Sequence, residues 1–142
     1  LFVTELNDKL KYFMSLDRPD SWIQYEFVDS KVRPTHYSIR TWDNGKKGGH
    51  LKSWSIEVSN TGNDDDWRIL DTRNEVTALD NNNAEVTFEI QSNLRENEFF
   101  KFVRLRQTDV NVSGKNFLIL SALEIFGSVI RNDQFINELL II

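Results

Sequence analysis

The 142-residue chain has no cysteine, two prolines, six glycines, one methionine and two histidines. Without cysteine there is no disulfide, no thiol nucleophile, no redox pair and no cysteine-ligated zinc. That absence suits a reducing compartment, so the expected location is intracellular, in the cytoplasm. Only His36 and His50 can serve as histidine general bases near neutral pH. The sequence also lacks a Gly-x-Ser-x-Gly elbow, a Gly-x-x-x-x-Gly-Lys loop and a His-Glu-x-x-His helix. No hydrolytic activity, catalytic residue or cofactor is therefore expected. Charge breaks every apolar run before it nears the ~18 residues a membrane helix requires, so a soluble chain is expected. The 17 basic residues are scattered and outnumbered by 22 acidic ones, for a net charge of −5. Nucleic acid needs a basic face that this balance does not supply. Leu1 to Met14 lacks the cationic start and continuous apolar stretch of a signal peptide, and Leu1 is not an initiator Met. The expectation is a segment of a longer polypeptide.

What is present is apolar bulk. Hydrophobic residues make up 39% of the chain, with ten Phe, four Trp and three Tyr, enough for a folded core in one domain. From Ser21 onward, short alternating or aromatic-rich runs are separated by polar segments carrying Gly, Asn or Asp. This is the pattern of an antiparallel β protein. In Trp22 to Phe27, Gln24 and Glu26 share one face while Ile23, Tyr25 and Phe27 share the other. Further strands are predicted at 35–42, 53–60, 67–71, 85–90, 100–107 and 118–126. No helix-length amphipathic pattern separates them, so a sandwich or barrel is favoured over parallel βαβ units. The ends differ. Leu6, Leu10 and Phe13 sit at helical spacing, as do Ile130, Phe135, Ile136, Leu139 and Leu140. The chain accordingly divides into a helix-like segment 1–14, a β body 15–127 and a C-terminal segment 128–142.

Few residues in this body point to chemistry. His36 reads as a half-exposed structural histidine within a strand. His50, in the Gly-flanked segment 43–52, reads equally as a ligand contact or a loop brace. Asp64-Asp65-Asp66 offers hard oxygen donors, but consecutive carboxylates do not converge on one ion without unusual backbone, and a solvated hairpin turn is the favoured reading. No metal site is assigned. Trp22, Trp54 and Trp67 enter strands with apolar partners two residues on and are expected in the core. Trp42 ends its strand before Asp43-Asn44-Gly45 and is either an exposed ligand platform or a structural plug.

Six ordered strings, spanning about residues 15–127, carry a family resemblance. They are Ser21-Trp22-Ile23-Gln24-Tyr25-Glu26-Phe27, Pro34-Thr35-His36-Tyr37-Ser38-Ile39-Arg40, His50 to Asn60, Trp67-Arg68-Ile69-Leu70-Asp71, Phe102 to Thr108 and Leu123-Glu124-Ile125-Phe126-Gly127. Together they resemble the discoidin or coagulation factor 5/8 type C domain, in the intracellular variety that accompanies BTB domains in protists. The resemblance implies a galactose-binding-like jelly-roll β-sandwich that recognises a ligand through loops at one rim and has no catalytic activity. That family usually carries another strand upstream of the Trp22 strand, so an edge of this sandwich is expected to be missing or replaced. The terminal cysteines of secreted members and the His and Arg cluster of the fucose-binding branch are also absent.

Counting strand reversals places the segment before Trp22 and the loops 43–52, 72–84 and 108–117 at one end, with 28–34 and 61–66 at the other. The expected contacts on the first end are Trp42, Asn44, Lys46, His50, Asn111, Lys115 and Asn116, with Arg40 and Arg106 as supports from strand ends. The leading expectation is a non-enzymatic module that recruits a protein partner, and the alternative is a carbohydrate-binding module of a surface or secreted protein.

Overall fold

The computed structural model describes residues 12–42 and 48–131, together with the backbone of residues 2–4. Ten strands form, and no helix, among the described residues: β1 (Phe2–Thr4), β2 (Phe13–Met14), β3 (Trp22–Glu26), β4 (Ser30–Arg40), β5 (Trp54–Ser59), β6 (Arg68–Arg73), β7 (Glu85–Glu89), β8 (Phe102–Gln107), β9 (Ile119–Leu120) and β10 (Ala122–Arg131). One sheet has the order β1-β10-β4-β7, the other β3-β8-β5-β6, and β2 pairs with β9 as a short third ribbon. Every pairing is antiparallel. The architecture is the all-β antiparallel sandwich expected from the alternating runs.

The chain passes from one main sheet to the other at β3–β4, β4–β5, β6–β7, β7–β8 and after β8, so among the described residues a hairpin inside one main sheet occurs only at β5–β6. Trp54, Ile56, Val58, Val103 and Leu105 from one sheet meet Tyr37, Ile39, Leu123 and Ile125 from the other in the apolar core. Trp54 packs edge-on against Phe88, with ring centroids 5.2 Å apart.

The ends depart from expectation. Phe13 and Met14 are in strand, and Phe2–Thr4 extends the first sheet beside β10, so the upstream edge is occupied by strand and not by helix. Ile130 likewise belongs to β10, which runs on past Gly127. Leu6, Leu10 and the residues from Phe135 onward lie outside the described residues. Strand pairing prevails here because an edge of the sheet offers unpaired backbone groups to any neighbouring extended segment.

Strand β4 begins at Ser30, inside the stretch 28–34 that the sequence pattern marks as a connection. Pro34 is tolerated because an extra residue, Thr35, sits between the pairs Phe126↔His36 and Gly127↔Pro34. The bulge also inverts the pleat: Val32 and Pro34 are buried at even positions, Tyr37 and Ile39 at odd ones.

Two of the tryptophans expected in the core are not there. Trp22 is 49% exposed. It shares the even-numbered face of β3 with Gln24 and Glu26, so the same alternation that buries Phe27 turns the indole outward. Trp67 is half-buried on the outer face, where the Arg104 guanidinium lies 3.9 Å from its ring centroid.

Candidate functional site

Separate segments meet at one end of the sandwich, and named hydrogen bonds hold them there. The Gly49 amide donates to Ser113 Oγ at 2.7 Å, and the Val112 amide to the His50 carbonyl at 3.0 Å. Thr41 Oγ1 accepts from the Ala84 amide at 2.8 Å while donating to the Asn81 carbonyl. The Asn116 amide donates to Asp17 Oδ1 at 2.7 Å, and Ser21 Oγ to the Asn116 carbonyl at 3.2 Å. Segments 12–21, 41–42, 48–53, 74–84 and 108–118 therefore meet in one rim. Gly49 is required at its place: its φ is +75°, and a Cβ there would lie 2.9 Å from the Phe117 ring.

The expected contacts fare differently on this rim. Trp42 is half-buried, and its ring centroid lies 4.3 Å from that of Tyr12, with the planes tilted by 36°. Tyr12, absent from the sequence reading, is 44% exposed and completes a two-ring surface. Lys115 is exposed and Asn116 half-buried beside it. Asn44 and Lys46 lie outside the described residues. Arg40 stands at the rim end of β4, paired across the sheet with Ala122 and Glu85, and its carbonyl accepts from the Ser121 amide.

Three of the expected contacts are committed to the protein itself. His50 is only 2% exposed. Its Nε2 lies 3.0 Å from Asn82 Oδ1, an atom that can only accept, so Nε2 is the donor in this contact. Asp80 Oδ1 is 3.9 Å from Nδ1. The imidazole thus ties the 74–84 loop to its own, and of the two readings the loop brace is the one its burial matches. Asn111 is 1% exposed; its Oδ1 accepts from the Ser113 and Lys115 amides and its Nδ2 donates to the Phe117 carbonyl. It shapes its loop from within and leaves no polar edge for a ligand.

Arg106 lies on the outer face of its sheet, where it donates to Glu57 Oε2 at 2.8 Å and Asp20 Oδ1 at 2.7 Å. Together with Arg104, whose Nε donates to Glu57 Oε1 at 2.8 Å, it encloses a glutamate only 2% exposed. Burial pushes the Glu57 carboxyl up, but hydrogen bonds from Ser55, Arg104 and Arg106 outweigh it and hold the group below its ordinary value.

At the opposite end Asp66 Oδ2 accepts from Ser59 Oγ and from the Thr61 amide and hydroxyl, which makes it a cap for the β5–β6 turn. No cluster of three or more His, Asp or Glu side chains suited to a metal ion occurs among the described residues. Asp17, Asn82 and Ser113, which also knit the rim, are not among the contacts expected from the sequence.

The fold recurs in solved structures. A carbohydrate-binding module from Clostridium perfringens in complex with GalNAc-β-1,3-galactose superposes with a TM-score of 0.62 at 17% identity, covering 85% of this chain and 78% of that one. A family 62 carbohydrate-binding module from Clostridium thermocellum gives 0.62 at 15% identity over 87% and 79% of the two chains. The C-terminal domain of a Bacteroides fragilis chitobiase gives 0.64 at 14% identity over 88% and 78%. The fold is the galactose-binding-like sandwich. No protein-family model and no curated protein matches the sequence. At these identities the galactose-binding-like likeness carries the fold expected from the resemblance, and it does not bear on the BTB-associated variety.

Proposed function

We propose that this chain is a non-catalytic carbohydrate-binding module that holds a glycan on the rim formed by segments 12–21, 41–42, 48–53, 74–84 and 108–118. The observation that carries this reading is the Trp42–Tyr12 ring pair at the rim. Aromatic faces pack against the C–H faces of sugar rings, and flanking amides and cations supply hydrogen bonds to hydroxyls. Lys115 and Asn116 stand on the same rim for that purpose. The solved galactose-binding-like structures with this fold include modules named for carbohydrate binding, which supports glycan recognition over the recruitment of a protein partner. The rim is built on loops anchored to a rigid sandwich, the setting in which recognition residues concentrate.

The test is affinity electrophoresis and titration calorimetry against galactosides and N-acetylgalactosaminides, using the parent and Trp42→Ala. Retention of the parent by at least one glycan, weakened about tenfold in the variant, is expected, equivalent to ~1.4 kcal/mol. Glycan binding that is unchanged in Trp42→Ala would overturn the rim assignment. A protein partner that depends on Trp42, with no glycan bound, would restore protein recruitment.

A further inference from the structure

A cleft of about 160 Å³ opens toward the other end of the sandwich, between the first half of β4 and the segment after β7. Its position follows from register. Glu85 pairs with Arg40 at the rim and Glu89 with His36, four residues further along, which is ~13 Å away at the rise of an extended strand. The cleft is thus physically separate from the rim.

Its walls are fixed before any ligand arrives. Arg33 donates through Nε to the Arg95 carbonyl and through Nη2 to the Leu94 carbonyl, both at 2.8 Å, and so clamps the 91–99 loop against β4. The Ile90 amide donates to the Thr35 carbonyl at 2.9 Å, and the Ser92 amide to the Leu70 carbonyl at 3.1 Å. Pro34 and Ile90 are buried beneath. Above them stand His36 and Glu89, directly opposed across the strands and both exposed. The Thr35 hydroxyl, 2.9 Å from His36 Nδ1, occupies one side of the imidazole and leaves Nε2 without a hydrogen-bond partner among the described residues. The Glu89 carboxylate makes no ion pair among the described residues.

We propose that this cleft is a second saccharide subsite that takes a single neutral sugar residue. Its volume is about half of the ~300 Å³ at which pockets for drug-sized ligands begin, which leaves room for one ring and not for two. Its chemistry mixes what a polyol needs: a carboxylate acceptor in Glu89, donors in Arg33 and Asn93, and groups of either kind in His36 and Ser92. Glu89 disfavours a phosphate or carboxylate ligand. A metal ion would find one carboxylate, Glu89, and one imidazole, His36, beside the cationic Arg33. A wider groove of about 420 Å³ adjoins the cleft along the open edge between β6 and β7 and shares Glu89, Ile90 and Asn93 with it, giving an attached sugar a path outward. With the rim, the module would hold glycan at two ends, and linked sites gain avidity without new contacts.

The full chain, labelled with ¹⁵N, is titrated separately with galactose, N-acetylgalactosamine, glucose, mannose and inorganic phosphate. At millimolar concentration at least one sugar is expected to shift the amides of His36, Glu89 and Asn93. The affinity read from those shifts should weaken at least about tenfold in His36→Ala/Glu89→Ala, two exposed positions whose double variant is checked to melt with the parent, and the shifts should persist in Trp42→Ala. Shifts confined to rim amides such as Gly49 and Asn82, shifts at the cleft with phosphate alone, cleft shifts that survive the double variant, or no shift with any of the four sugars would each overturn the second subsite. Because rim and cleft amides are read separately, failure of one reading is distinguishable from failure of the other.

Discussion

The Trp54 indole Nε1 donates to the Tyr37 hydroxyl at 2.9 Å, joining the two sheets through a polar bond inside the apolar core. The hydroxyl in turn donates a hydrogen bond to Asp71, which also accepts from Arg73 Nε at 3.0 Å and from the Gln91 amide at 3.2 Å. Burial, then the hydrogen bond to Asp71, push the Tyr37 hydroxyl far above its ordinary range, so it stays a donor at every working pH. Tyr37→Phe preserves the ring stack on Phe88 but leaves the buried indole N–H without an acceptor. A loss of about 1–3 kcal/mol is expected from urea denaturation. An unchanged midpoint would mean that the chain has found another acceptor for the indole.

Glu57 makes a pH-dependent contribution whose sign is fixed by its environment. Its pKa in the folded chain is held below the ordinary 4.5, so the unfolded chain binds the proton more readily. The stabilisation is complete above that ordinary value and is lost as pH falls through the lower folded value. Urea midpoints measured from neutral pH downward should therefore fall less steeply below about pH 4.5 in Glu57→Gln than in the parent. Parallel curves would show that the Arg104 and Arg106 contacts do not discriminate between the carboxylate and its protonated form.

Gly127 faces the backbone of β4 at the bulge so closely that a Cβ would lie 2.1 Å from the Arg33 carbonyl oxygen. A backbone atom cannot swing aside as a side-chain end can. Gly127→Ala should cost about 1–3 kcal/mol through forced separation of β4 and β10. Thermal melting checks this, and a variant that melts with the parent would show that the two strands part without penalty.

Asn111→Ala removes the acceptor of two loop amides and the donor to the Phe117 carbonyl. The expected cost is about 1–3 kcal/mol for each group left buried and unsatisfied, reduced wherever water enters the loop. Hydrogen exchange should accelerate first at the Ser113 and Lys115 amides. Protection that is unchanged there would contradict the bracing role.

The strand order along the chain, the core at Trp54, Ile56 and Val58 and the convergence of particular loops follow from local rules: period-two alternation, turn-forming residues and the reversal of direction at each antiparallel connection. Even the outward placement of Trp22 was contained in that alternation, and only the habit of burying large aromatics argued otherwise. The bulge at Thr35 was not legible, because a single extra residue inverts the pleat through pairing with a distant strand, here β10. Nor was strand at both ends, since an edge position depends on the neighbour's unpaired backbone more than on the segment's own period. At the rim, residue type nominated His50 and Asn111 as ligand contacts, whereas their hydrogen bonds to Asn82, 32 residues away, and within the loop itself make them braces. The cleft between Arg33, His36 and Glu89 belongs wholly to tertiary structure: Arg33 and Leu94 are 61 residues apart, and no local pattern encodes a hydrogen bond across that distance.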